Sequence, residues 1–321
     1  MELKSPFKLS LIFLLTAAPA MVLAQPSDCR LCNFNGWTVG LGLGASTFMT
    51  NNQSDTTLTS DHPSFVVPVP VLAPGIATPG NAVSSSQHGN IYRYGGMGTL
   101  YVGYGRELEN HMFLGAELGL NVFGPTRTNS HGGSTTNTDV SYTDTEIGFL
   151  NEAIVNSSID SQTKVTRHSF EPFLDVKLGW LMTPTALAYV KGGINYNTIK
   201  VKNNTSYTAN GTVLIEEDSF PGNFPLTGTG SAGLDNSHSR TGVGYRAGIG
   251  MEVLITPELG VGADYVYTFY PKVTTSGGGT GTDVACDAFE GCQVVAANVS
   301  NTSKARVYDQ QVMAQLIYHL G

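Results

Sequence analysis

From Arg240 to Tyr270 the chain alternates strictly between two kinds of residue. Thr241, Val243, Tyr245, Ala247, Ile249, Met251 and Val253 take every second position, with Gly242, Gly244, Arg246, Gly248, Gly250 and Glu252 between them. After a break at Thr256-Pro257-Glu258, Leu259, Val261, Ala263, Tyr265, Tyr267 and Phe269 alternate with Gly260, Gly262, Asp264, Val266, Thr268 and Tyr270. A period of two predicts strands, because successive side chains point to opposite faces. One face is apolar with aromatic ends, and the other is small, glycine-rich and charged. A barrel in a membrane turns such an apolar face to lipid and the charged face to its lumen.

Six more segments share the pattern: about 37–48, 95–106, 112–123, 167–181, 186–200 and 307–320. With the first two they predict eight strands of about 10 to 15 residues, long enough to cross a bilayer at a tilt. Short turns are predicted near Glu109-Asn110, at Thr183-Pro184 and at Thr256-Pro257-Glu258. The other connections, about 49–94, 124–166, 201–239 and 271–306, read as long polar loops. Long and short connections alternate, which sorts all long loops to one side of an up-and-down barrel. Backbone polar groups in lipid must all be paired, so the sheet has to close. The expected fold is therefore all-β: an eight-stranded antiparallel up-and-down transmembrane β-barrel with long extracellular loops.

Composition narrows the compartment. Among 321 residues only 13 % are charged, and Gly numbers 38. No apolar run outside the first 25 positions is long enough for a helical span. A net charge of −8 argues against a nucleic-acid partner, which would select a basic face. Lys4 and Lys8, the apolar run Leu11 to Leu15 and Val22-Leu23-Ala24 read as a signal peptide over 1–24. A periplasmic segment over 25–36 and the barrel over 37–321 would follow. Export permits disulfides, expected within the two local pairs Cys29/Cys32 and Cys286/Cys292. No metal-ligand spacing accompanies them, and no cofactor is expected.

At this level of pattern the chain resembles the outer-membrane β-barrels of the OmpA-like and opacity-protein families. The residues that carry the likeness are the signal peptide, the eight alternating segments, the tight turn Thr256-Pro257-Glu258-Leu259 and the closing run Val312 to Leu320. The resemblance implies the outer membrane of a Gram-negative bacterium. It also implies insertion by the barrel assembly machinery and neighbours among outer-membrane lipid and lipopolysaccharide. No segment for a peptidoglycan-binding domain follows the eighth strand in this sequence.

Parity assigns Glu117, Glu171, Asp175, Lys177, Lys191, Arg246, Glu252, Asp264 and Asp309 to the lumen. In a narrow barrel they form either an ion-paired plug or the lining of a small pore. Tyr92, Tyr94, Tyr101, Tyr104, Trp180, Tyr265, Tyr267, Phe269 and Tyr318 are expected in interfacial girdles. Catalysis would need a converging Ser-His-acid set. His168-Ser169 and Ser237-His238-Ser239 do not supply one, so no enzyme is expected. Two functions remain: a structural, adhesin-like surface protein that meets a host or cell-surface ligand through its loops, or a narrow porin-like channel.

Overall fold

The computed structural model describes residues 33–60, 83–124, 129–145, 149–217, 226–287 and 291–320. Ten strands follow in order: β1 (Gly36–Ser60), β2 (Val83–Glu107), β3 (Met112–Phe123), β4 (Asn129–Thr145), β5 (Phe149–Arg167), β6 (Phe170–Thr183), β7 (Ala186–Glu217), β8 (Leu226–Leu254), β9 (Leu259–Asp287) and β10 (Gly291–Leu320). In space they are eight. β5 and β6 line up end to end against the single strand β7, with Arg167 opposite Ile199 and Phe173 opposite Asn195. The join is His168-Ser169, pinned by His168 N–H donating to Thr198 O and Phe123 N–H donating to Ser169 O. β3 and β4 likewise stand one after the other beside this composite strand.

The barrel closes. One hydrogen-bonded row runs from Trp37 through Tyr104, Ala116, Val176, Gly192, Ala247, Tyr267 and Gln310, and returns to β1 at Thr47. The row has climbed ten residues in one circuit of eight strands. That shear corresponds to a strand tilt of roughly 40°, within the range for closed barrels.

Alternation sets the two faces as expected. Leu41, Leu43, Leu100, Leu118, Leu174, Val190 and Ile249 are exposed on the outer wall. Trp37, Tyr104, Trp180 and Tyr318 ring one end of this apolar band, with Trp37 and Tyr104 edge to face at 5.3 Å. Tyr94, Phe170, Tyr196, Tyr245 and Phe269 ring the other end. Tyr94 and Tyr104 are ten residues apart on β2, about 25 Å along the barrel axis at that tilt, the height of an outer-membrane hydrophobic band. Tyr101 departs from the girdle expectation. Its even-numbered neighbours on β2 face lipid, so its own ring points inward and is 2 % exposed.

The long connections also depart from expectation. What reads as loop in sequence is largely strand: β1, β2, β7, β8, β9 and β10 run on well past the outer aromatic ring, and β4 and β5 add a hairpin. Period two continues, but the outward residues change from apolar to polar. On β1 the outward set passes from Leu41, Leu43 and Ala45 to Asn51, Gln53, Asp55 and Thr57. A hydrophobicity pattern registers strands by their apolar face, so it loses them where water replaces lipid.

Beyond the bilayer the barrel flattens into two facing sheets. Among the described residues the β2–β3 ladder ends at Met97 opposite Phe123, and the β8–β9 ladder at Tyr245 opposite Phe269. The outer parts of β4, β5, β7 and β8 form one sheet, and those of β2, β1, β10 and β9 the other. β9 turns away from β8 at a bulge, where Pro271 and Lys272 stand against the single Arg306. Pro271 has no N–H to give a ladder, which favours a bulge there. Leu58, Ala297 and Val299 of one sheet pack on Ile159, Tyr207, Ala209, Ala232 and Leu234 of the other.

The short turns fall where the sequence placed them. Asn110 and His111 take positive φ in the first, and Leu259 N–H donates to Thr256 Oγ1 in the third. The segment before β1 is no free tail at its end, because Phe34 is 1 % exposed inside the barrel floor. The signal region, Cys29 and Cys32 lie outside the described residues. Cys286 and Cys292 are backbone partners across the β9–β10 hairpin.

Candidate functional site: the filled barrel interior

The interior is built in layers by the inward residue of every strand pair. At the floor, Phe34, Phe113, Leu181, Leu187, Tyr189 and Leu254 form an apolar cluster. His319 closes it, with its ring 5.9 Å from that of Phe34 and its Nε2 2.7 Å from Glu252 Oε1.

Charges fill the next layer. Lys177 Nζ lies 2.5 Å from Glu117 Oε1. Lys191 bridges Asp264 and the second oxygen of Glu117, the latter at 3.9 Å. Arg246 Nη2 lies 3.3 Å from Asp175 Oδ2, with its guanidinium 4.1 Å from the centre of the Phe173 ring. Asp264 also accepts from Tyr189 Oη and from Gln315 Nε2, the latter at 2.7 Å. Tyr101 Oη donates to Gln315 Oε1 at 3.0 Å. Glycine makes the room: a Cβ at Gly250 would run into Asp264 Oδ1 and the Tyr189 ring.

Met97, Phe123, Val266 and Met313 then form an apolar layer. Above it Glu171 accepts from Asn121 Nδ2 at 3.2 Å, from Asn197 Nδ2 at 2.9 Å and from Tyr270 Oη. Arg167 lies 2.7 Å from Asp309 and stacks 3.4 Å above the Phe123 ring. Phe48, Val165, Ile199, Val201, Val273, Ala305 and Val307 follow with the Tyr270 ring. A polar layer around Asn203, Asn301 and Ser303 then leads to the outermost apolar cluster.

All nine charges that parity assigns to the lumen are buried here, none more than 6 % exposed. The structure brings Glu117, Asp175, Lys177, Lys191, Arg246 and Asp264 into one layer. It sets Glu252 below them, and Glu171 and Asp309 above. Two members are missing from the parity-derived set: Arg167 and His319. Both sit on inward positions of their strands, so alternation alone could have included them.

In a low-dielectric interior such charges cost stability unless they are paired and hydrogen-bonded. Each of the six carboxylates has a partner: Lys177 and Lys191 for Glu117, Arg246 for Asp175, Lys191 for Asp264, His319 for Glu252, Arg167 for Asp309, and amide and phenol donors for Glu171. The hydroxyl and imidazole candidates do not join any such site. His168 is exposed at the β5–β6 join, with Phe170 N–H donating to its Nδ1, and Ser237, His238 and Ser239 are exposed on β8. Among the described residues no group of His, Cys, Asp and Glu could hold a metal ion.

A closed eight-stranded barrel with lipid-facing and ion-paired inner faces is an integral outer-membrane architecture. The sequence matches the outer membrane protein beta-barrel domain over residues 10–289. The chain belongs to that family and so to the outer membrane. No curated protein matches it significantly. Solved structures similar to it include Neisserial surface protein A (10 % identity, TM-score 0.28, covering 86 % of this chain and 99 % of that one). They also include Ail, the attachment invasion locus protein of Yersinia pestis (9 %, 0.25, 85 % and 98 %), and the outer-membrane protease OmpT of Escherichia coli (10 %, 0.19, 88 % and 97 %).

Proposed function

We propose that this protein is a sealed barrel that anchors an external two-sheet body for contact with other surfaces, an adhesin-like role. The observation that carries the reading is the unbroken filling of the interior, from Phe34 at the floor to Leu58 and Tyr207 near the outer end. A solute path would have to cross the apolar layer of Met97, Phe123, Val266 and Met313 and break ion pairs on both sides of it. The same packing holds the outer strands up as a rigid platform, and long scaffolded external segments are where binding function concentrates. The proposal assigns no catalysis. It includes export by the N-terminal leader, insertion by the barrel assembly machinery and a Cys286–Cys292 disulfide at the hairpin tip.

Two measurements test it. In a planar bilayer the folded chain should give no discrete conductance steps. Bacteria displaying it should adhere to host-cell monolayers more than the same bacteria without it, and Fab fragments against the outer strands should remove the gain. Reproducible ion-conducting steps would instead favour the porin-like channel, lined by the buried charges. Adherence equal to that of the bare strain would overturn the surface-contact role.

A further inference from the structure

We infer that Lys191 and Asp264, with Glu117 as proton carrier, condense into a side-chain amide that cross-links β7 to β9 inside the barrel. The inference rests on the filled interior and is independent of the adhesin-like role. The two side chains meet across β8, the strand between theirs. Lys191 stands opposite Gly248 and Asp264 opposite Gly250. A Cβ at Gly248 would lie 3.3 Å from Lys191 Cγ, and one at Gly250 would collide with Asp264 Oδ1. These glycines therefore let residues of two non-adjacent strands touch. Lys191 Nζ donates to Asp264 Oδ2 and lies 3.9 Å from Glu117 Oε2. Among the described residues no other lysine forms ion pairs with two carboxylates.

Three features turn this salt bridge into a reacting pair. The first is dryness. Lys191 is 6 % exposed and Asp264 0 %, between the apolar floor and the layer of Met97, Phe123, Val266 and Met313. Transfer of one proton from Lys191 Nζ to Asp264 Oδ2 leaves an amine and an acid, the neutral forms that an interior without water favours. A neutral, desolvated lysine is a nucleophile. The second is a place for charge to develop. Nζ attacks Cγ, and the electron pair of the C=O bond moves onto Oδ1, where Tyr189 Oη already donates. The third is a carrier for the proton. Lys177 holds Oε1 of Glu117 at 2.5 Å, and Oε2 is the oxygen toward Lys191. Glu117 takes the surplus proton from Nζ and returns it to Oδ2. The Cγ–Oδ2 bond then breaks, water leaves, the amide remains and Glu117 ends as it began. Gln315 Nε2, 2.7 Å from Oδ2, orients the leaving oxygen, and Tyr101 Oη orients Gln315. The bond removes one buried charge of each sign. Glu117 with Lys177 and Asp175 with Arg246 remain as balanced pairs, so the layer loses a desolvation cost and stays neutral. The arginine pairs cannot follow, because a guanidinium keeps its proton.

The test is the intact mass of the full chain, purified folded from outer membranes and chemically reduced. It should fall about 18 Da short of its sequence, the mass of one water. Tandem mass spectrometry of a digest should find the peptide of Lys191 joined to that of Asp264. Lys191→Arg and Glu117→Gln should each keep their full sequence mass while showing heat-modifiable gel mobility. Asp264→Asn gives an independent reading should those variants fail to fold. It would lose ammonia where the parent loses water, so the two folded chains should reach the same mass. Parent chain refolded from urea should lose the water only after its folded gel band appears. A folded parent at full mass would overturn the inference, and so would a deficit that persists in Lys191→Arg. A deficit retained in Glu117→Gln would overturn the role of Glu117 as carrier. Conductance and adherence are untouched by these outcomes, so this inference and the surface-contact role fail separately.

Discussion

Arg246 shows what one residue contributes inside the barrel. Its Nη2 faces Asp175 at 3.3 Å, and both side chains are about 1 % exposed. Removing one member of a buried pair leaves the other charge without compensation, which costs about 3–5 kcal/mol, whereas replacing both by apolar groups is often neutral. Arg246→Ala should therefore destabilise the folded chain by about that amount in urea unfolding from lipid vesicles. The pair Arg246→Leu/Asp175→Leu should recover most of the loss. A double variant as unstable as the single one would mean that the residues act by shape rather than as a pair. The parity that finds Arg246 in the sequence also finds Asp175. That these two meet, while Lys191 turns to Asp264, follows from barrel register and from nothing local to either strand.

The strand is the next scale, and a single strand here meets three environments. Leu118 on β3 faces lipid near mid-band and is 64 % exposed. Thr59 on β1 faces outward too, but in the external body. Leu118→Arg should cost about 2–4 kcal/mol, the penalty for Arg at the middle of a bilayer. Thr59→Arg should stay within about 0.5 kcal/mol of the parent. Chemical unfolding in vesicles separates the two, and equal effects would contradict the placement of the apolar band. The sequence made the membrane-spanning part of the wall legible, because lipid selects Leu, Val and Tyr on every second position. It hid the outer parts of β1, β7 and β10, where Thr, Asn and Ser alternate with one another and the buried set itself includes Asn203, Asn301 and Ser303. A polar residue facing water and a polar residue satisfied inside look alike in a list.

At the scale of the molecule, one continuous wall carries two bodies with separate cores. The external core holds Tyr207, 2 % exposed, whose hydroxyl donates to Asp283 at 2.5 Å. The membrane barrel is held by its own ladders and ion pairs. Local unfolding follows such contact boundaries. Tyr207→Ala should cost the external body about 3–5 kcal/mol, as large-to-small core changes do. Limited proteolysis of intact cells should then cut the outer strands faster, while the barrel keeps its heat-modifiable mobility. Loss of both together would mean that the wall unfolds as a single unit.

By itself the sequence determined the fold class, the eight passes, the short turns and the inward placement of nine charges. Each of these depends on period-two alternation or on the chemistry of a few adjacent residues. Only the tertiary structure decided the rest: which charges pair, that Tyr101 fills the interior and not the girdle, and that polar stretches are paired strands. These depend on closure, because a ten-residue shear joins positions hundreds of residues apart and no stretch of chain carries that number within it.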